Sequence, residues 1–374
     1  MKNNRKFILV VGARPNFMKI APLLLEMQKY QSIEGSSGDN ISYLLVHTGQ
    51  HYDLQMSDVF FQDLNIPEPD VNLEVGSGSH AMQTAEILVR FEKACLRDKP
   101  DWIIVVGDVN STMACTLVAV KLGIKVAHIE AGLRSFDRTM PEEINRLVTD
   151  SLADLLFTPS EDADENLLRE GIPESKIKRV GNIMIDSLLT NVEKARSLEP
   201  YKSYGVEENK YILATLHRPA NVDNQEHLSQ IMNNLMDLSK KLPIIFPLHP
   251  RTKNNLLQQG LLSEVNLPPN LIFCNPVGYL ESIGLVDKAR FVLTDSGGLQ
   301  EETTFLGVPC LTLRPNTERP ITITLGTNKL TSVEKLRDDI DQMLEGNLSA
   351  GKIPELWDGL TSQRILKILI SQSH

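Results

Sequence analysis

Short, nearly continuous apolar runs rich in β-branched residues alternate with segments of helical length from residue 7 to residue 313. In the first half the runs are Phe7–Gly12, Ile41–His47, Trp102–Gly107, Lys125–Ile129 and Leu155–Thr158. They resume after Gly181 as Tyr211–Thr215, Pro243–Pro247, Leu271–Cys274, Phe291–Leu293 and Pro309–Leu313. A strand with one wet face alternates polar and apolar residues. These runs do not, so they predict parallel strands buried on both faces. The intervening segments, such as Met82–Leu96, Thr112–Leu122 and Glu226–Lys240, have helical length and spacing. Alternating βα units predict an α/β protein with doubly wound sheets. Two sets of such units in 374 residues predict two Rossmann-like domains. The changeover is expected at a Gly-Asn turn near Val180–Asn182, giving domains 1–180 and 181–359. The final helix, Ser362–Ile370, fits against either.

Composition excludes several classes. A net charge of −10 argues against a nucleic-acid binder, which needs a basic surface. It leaves room for an anionic small molecule held by a few clustered arginines. The four cysteines, Cys95, Cys115, Cys274 and Cys310, are far apart and form no Cys-x-x-Cys pair. They read as small buried residues in a reducing compartment, not as disulfides or metal ligands. The basic start, Met1–Lys6, is followed by an apolar run too short for a signal sequence. No stretch approaches the roughly 18 apolar residues of a membrane span. The expectation is a cytoplasmic protein with no metal and no membrane or nucleic-acid partner.

Ligands of α/β sheets bind at the carboxyl ends of the strands, so the residues that close each run are the candidates. The first run closes on Gly12, with Arg14 and Lys19 beyond it at a helix start that favours an anion. The second is followed by polar residues, His47 to Asp53, whose spacing specifies no reaction. The third closes on Asp108, and the fourth on Glu130. Pro141 suits a first helical position and puts Glu142 and Glu143 in the first turn. Acids there also offset the helix dipole, and Asp108 or Asn110 also suits an N-cap. Asp108 and Glu130 facing one cleft would form a pair whose pKa values can diverge, one serving as base and one as acid. In the second half, two successive runs end in His217-Arg218 and His249-Pro-Arg251. The run ending at Leu293 feeds Ser296, Gly297 and Gly298 into a helix. Bare amides at that helix start suit a diphosphate, and Glu302, one turn on, suits ribose hydroxyls. No Gly-Lys-Ser/Thr follows, so this is not a Walker loop. Arg314 and Arg319 give the next loop a cationic rim.

With these segments assembled, the chain resembles the non-hydrolysing UDP-N-acetylglucosamine 2-epimerases from about residue 7 to residue 326. The resemblance is carried by Gly12–Pro15, Val106–Asp108, His128–Arg134, Pro141–Arg146, Leu216–Arg218, Asp295–Glu302 and Thr317–Pro320. It implies two Rossmann-like domains facing a central cleft, as in GT-B glycosyltransferases, with the C-terminal helix (360–374) returning to the first domain. It also implies a homodimer and inversion of C2 between UDP-GlcNAc and UDP-ManNAc by elimination and re-addition of UDP, without cofactor or metal. Asp108, Glu130 and Glu142 match the family's acidic trio and His217 its catalytic-site histidine. Arg14, Lys19, Ser296, Gly297, Gly298, Glu302 and Arg319 match its UDP contacts, with the uracil slot along Pro276–Ser282, including Val277 and Ser282. The chain departs from regulated bacterial members at Asp53, where those carry Gln or Glu, and at Met82, where they carry Arg. These departures leave activation by a second substrate molecule open. A GT-B glycosyltransferase, a non-catalytic nucleotide-sugar sensor, a hydrolysing epimerase and an epimerase of a related UDP-diacetamido sugar are the competing readings.

Overall fold

A computed structural model describes residues 4–34, 40–50, 67–262, 268–346 and 351–372. Asp53 and the side chain of Arg14 lie outside the described residues. The chain forms two compact units, one of residues 1–187 with 355–374, the other of residues 188–354. In chain order the first contains β1 (Asn4–Val11), α1 (Arg14–Glu34), β2 (Asn40–His47), β3 (Val71–Asn72), α2 (His80–Asp98), β4 (Trp102–Val106), α3 (Asn110–Lys121), β5 (Lys125–Ile129), α4 (Pro141–Leu152), β6 (Leu155–Thr158), α5 (Glu161–Arg169) and β7 (Ile177–Arg179). Helix α6 (Ile183–Leu198) carries the chain into the second unit. There follow β8 (Ile212–Thr215), α7 (Pro219–Val222), α8 (Gln225–Ser239), β9 (Ile244–Pro247), α9 (Pro250–Gln258), β10 (Leu271–Cys274), α10 (Tyr279–Asp287), β11 (Phe291–Thr294), α11 (Gly297–Leu306), β12 (Cys310–Leu313), α12 (Ile321–Thr324), β13 (Asn328–Thr331) and α13 (Leu336–Leu344). The last helix, α14 (Thr361–Ser371), belongs to the first unit.

Both sheets are parallel throughout, with strand orders β3-β2-β1-β4-β5-β6-β7 and β10-β9-β8-β11-β12-β13. The α/β class and the pair of Rossmann-like units read from the sequence are what the structure contains. The central apolar runs became strands because they bury both faces. Ile8, Val10, Ile103, Val105, Val126 and Leu156 pack with Ile87 and Phe91 of α2 in the first unit. Ile212, Ala214, Ile244, Phe246 and Leu293 do the same against α8 in the second. Three edge strands, β3, β7 and β13, have no counterpart in the apolar runs. They are two to four residues long and carry Asn, Lys and Arg, as solvent-facing edges do.

Each sheet reverses its winding once, between β1 and β4 and between β8 and β11. Crevices at such switch points, beyond the carboxyl ends of the strands, are where α/β sheets bind ligands. Helix α14 is held at both ends. Asp186 accepts the backbone N–H groups of Thr361 (3.1 Å) and Ser362 (2.7 Å) at its start. Arg5 donates to the carbonyls of Leu369 (2.7 Å) and Ile370 at its end, satisfying acceptors that a helix terminus leaves open. Among the described residues no helix is long and apolar enough to cross a membrane.

Candidate active site

In the first unit the sequence candidates meet at the switch point. Val106 and Ile129 are register partners on β4 and β5, so the residues after them, Gly107-Asp108 and Glu130, emerge side by side. Gly107 adopts a left-handed φ of +69°, and a Cβ there would lie 3.2 Å from Lys19 Nζ and 3.6 Å from Glu130 Oε2. Glu130 is buried and is itself left-handed at φ +68°, a strained conformation for a residue with a side chain. Its Oε2 accepts a hydrogen bond from Lys19 Nζ. Its Oε1 is buried and has no hydrogen-bond partner among the described residues. Lys19, expected as a nucleotide contact, is paired in the structure with Glu130.

Asp108 is partly exposed, and its Oδ2 accepts from Arg146 Nε (3.1 Å) and Nη2 (2.7 Å). Asn145 donates to the Asp108 carbonyl at 2.8 Å. Neither Asp108 nor Asn110 is the N-cap of α3; that position is Val109, without a side-chain cap. The two acids of the α4 first turn separate cleanly. Glu143 is buried and consumed, accepting from Ser135 N and Oγ (3.0 Å each), Phe136 N (2.9 Å) and Arg146 Nη1 (2.5 Å). Glu142, four residues before Arg146 and so on its helix face, is half-buried and bonded to no described residue. Asn16 was not singled out in the sequence. It accepts from the N–H groups of Gly12 (3.2 Å) and Ala13 (2.9 Å) and donates to the Val106 carbonyl (3.0 Å), locking the first strand-end loop to β4.

In the second unit, β8 and β11 deliver His217 and the 296–298 turn to their switch point. The organising residue is Asp295, at the end of β11, which the sequence reading gave no role. It is fully buried. Its carboxylate accepts from the N–H groups of His217 (3.1 Å) and Arg218 (2.9 Å) and from Asn221 Nδ2 (3.0 Å). His217 Nδ1 lies 2.8 Å from Asp295 Oδ1 while 43% of the side chain stays exposed. Burial alone would raise the Asp295 carboxyl; the hydrogen bond and charge of His217, with Asn221 and the Arg218 amide, outweigh it and hold it below the ordinary range. The His249 ring lies 5.8 Å from that of His217 and accepts from the Arg251 amide (3.2 Å) as N-cap of α9. Burial and then the neighbouring His217 lower its pKa.

Helix α11 begins at Gly297 after Ser296, which makes no side-chain cap, so its first amides are open to a ligand. A Cβ on Gly298 would meet nothing within 4 Å, whereas one on Gly297 would lie 2.8 Å from Arg319 Nη1. Arg319 is fixed there by Glu301 (2.8 Å) and Glu318. Arg314 grips the other oxygen of Glu318 at 2.7 Å. Glu302 is buried beside Glu301, and burial, then the Glu301 charge, push its carboxyl up to about 8 against a hydrogen bond from Tyr279. Val277 is half-buried and packs on the core around Tyr211 and Val286, which leaves its backbone for contacts. Ser282 is half-buried in the first turn of α10.

Known proteins supply the remaining comparison. Residues 34–370 match the sequence model of the family described as UDP-N-acetylglucosamine 2-epimerase. The UDP-N-acetylglucosamine 2-epimerase of Methanocaldococcus jannaschii is 43% identical over 371 residues, covering 97% of this chain and 98% of that one. Its crystal structure in complex with UDP-GlcNAc and UDP superposes with a TM-score of 0.87 over 98% of this chain and all of that chain, at 42% identity. The UDP-2,3-diacetamido-2,3-dideoxy-D-glucuronate 2-epimerase of Pseudomonas aeruginosa is 39% identical over 94% of this chain and 98% of its own length.

Proposed function

The chain belongs to the UDP-N-acetylglucosamine 2-epimerase family, a family of isomerases, and from that premise we propose that it interconverts UDP-GlcNAc and UDP-ManNAc. Inverting C2 requires breaking its C–H bond on one face and remaking it on the other. When a carboxylate takes the C2 proton, the electron pair forms a C1=C2 double bond and the C1–O bond to UDP breaks. UDP then adds back to C1 as a proton is delivered to the opposite face of C2. No electrons are gained or lost overall, so the chemistry asks for proton-transfer groups and for positive charge on the leaving diphosphate.

The observation that carries the reading is the pairing of Asp108 and Glu130 at one switch point. Each is held by its own cation, and Glu130 keeps one oxygen without a hydrogen-bond partner among the described residues. In this reading Asp108, Glu130 and Glu142 serve the sugar carbon, with His217 set by Asp295. Arg14, Lys19 and Arg319 supply positive charge, and the 296–298 amides hold the diphosphate. Glu302 faces the ribose, the 276–282 loop takes the uracil, and His249 stands beside His217. Incubation with UDP-GlcNAc in D2O is the test: deuterium is expected at C2 of both sugars. Asp108→Asn, Glu130→Gln and Glu142→Gln should each slow exchange by at least about 10²-fold. Full exchange in all three variants, or UDP release only on adding an acceptor sugar, would refute it. The Pseudomonas relative favours one second reading, a diacetamido uronate as the sugar, and higher kcat/KM on that substrate would establish it.

The assembly we infer is a cytoplasmic homodimer. Met82, Val89 and Leu96 of α2 recur every seven residues and are 62%, 55% and 58% exposed, an apolar stripe of the kind that pairs helices. Val89→Glu should halve the mass seen by light scattering if this stripe is the seam; an unchanged mass excludes it.

A further inference from the structure

One buried carboxylate in the first unit is linked to both strand-end turns that carry the paired acids, to one directly and to the other through a histidine. Asp150 follows Glu142 and Arg146 along one face of α4, at four-residue steps. Its Oδ1 lies 2.6 Å from His128 Nδ1, and Oδ2 accepts from Gly132 N at 3.0 Å and from Arg134 Nη1 at 2.7 Å. The His128 ring continues the link, donating from Nε2 to the Gly107 carbonyl at 2.8 Å. The Asp150 and His128 side chains are sealed from solvent, at 1% and 0% exposure. Burial would raise the Asp150 carboxyl, but the charges and hydrogen bonds of His128 and Arg134 hold it below the ordinary range.

The two turns so joined are unusual. Gly107, just before Asp108, and Gly132, two residues after Glu130, both have positive φ, +69° and +79°. At Gly132 a Cβ would sit 2.4 Å from the Ala163 carbonyl oxygen, so backbone packing leaves no other residue there. Nothing in the apolar strands specifies where these turns point. The link Gly107–His128–Asp150–Gly132 does. We propose that His128 and Asp150 are positioning residues that fix Asp108 and Glu130 relative to each other, without touching substrate. This rests on the 2-epimerase reading, in which those two carboxylates serve one carbon.

Replacing Asp150 would strip His128 and Arg134 of a buried partner and risks unfolding, so the test acts at His128. Asn carries its amide nitrogen near the Nδ1 position: His128→Asn keeps a donor for Asp150 but cannot reach the Gly107 carbonyl. Gln carries it near the Nε2 position, so His128→Gln reaches Gly107 and releases Asp150 to Arg134 and Gly132. Since a misplacement near 1 Å can cost about 10²-fold, kcat and C2 deuteration should fall about 10²-fold in His128→Asn. His128→Gln holds Gly107 but cuts the link at Asp150, so both should fall there as well, by at least about tenfold. UDP affinity should stay unchanged in both. A purely structural pair would instead rank activity with thermal stability and favour His128→Asn. That ranking, or a His128→Asn variant turning over within about threefold of wild type, overturns the proposal. A wild type that moves no deuterium sinks the epimerase reading and this inference with it; an active wild type beside an unimpaired His128→Asn sinks only this one.

Discussion

Glu302 sets a stability profile whose sign can be worked out in advance. In the native state its carboxyl titrates at about 8, because it is buried and faces Glu301; in the unfolded chain it has the ordinary value of 4.5. Below the lower value both states are protonated. Between the two, the unfolded chain has released a proton that the native state retains, so stability falls as pH rises, and above about 8 the loss is complete. At about 1.36 kcal/mol per unit, the whole interval amounts to an order-of-magnitude penalty of about 5 kcal/mol. The part between about pH 6.5 and 8 is about 2 kcal/mol, or about 30-fold in the opening equilibrium. Glu302→Gln keeps the shape and removes the titration. Both tryptophans, Trp102 and Trp357, belong to the first unit, so tryptophan fluorescence would watch the wrong half. Hydrogen exchange of α11 amides reports on the right one, and comparing variant with wild type at each pH cancels the intrinsic exchange rates. The variant-to-wild-type protection ratio should grow about 30-fold from about pH 6.5 to 8. A ratio that stays flat refutes the assignment of a neutral, buried Glu302.

Two further outcomes follow from the second unit. Asp295→Asn places an amide where three N–H donors converge; kcat should fall by about 10²-fold or more through misorientation of His217, with UDP affinity within about threefold in a calorimetric titration. Gly298→Ala adds a methyl to open space, so the melting temperature should not fall, yet UDP should bind at least about tenfold more weakly, because the methyl occupies the approach to the α11 amides. Gly297→Ala, which collides with Arg319, should lose stability as well; equal melting temperatures for the two variants would contradict the geometry.

What the sequence revealed and what it hid divide along a physical line. Strands buried on both faces leave a continuous apolar signature, so the central strands of both sheets could be read directly. Edge strands such as β13, Asn-Lys-Leu-Thr, obey no such constraint. Residues that close an apolar run stand at a strand end by construction, which is why Asp108, Glu130, His217 and the 296–298 turn were legible. Partnership was not. Glu142 and Glu143 are adjacent and chemically alike, and only the fold shows that Glu143 is spent on Ser135, Phe136 and Arg146. Lys19 reads as a free cation near an anion site, but α1 and the end of β5 bring it onto Glu130. Asp150, Asp295 and Asn16 act at sequence distances of 18 to 90 residues, beyond any local pattern. Asp295 nevertheless closes a strand as Asp108 does. Because each sheet is parallel and changes direction once, an acid that closes a strand beside the switch point is driven toward the same crevice as its neighbours. Strand-end position beside a switch point, more than residue identity, is therefore the signal that separates a carboxylate at the crevice from one that caps a helix.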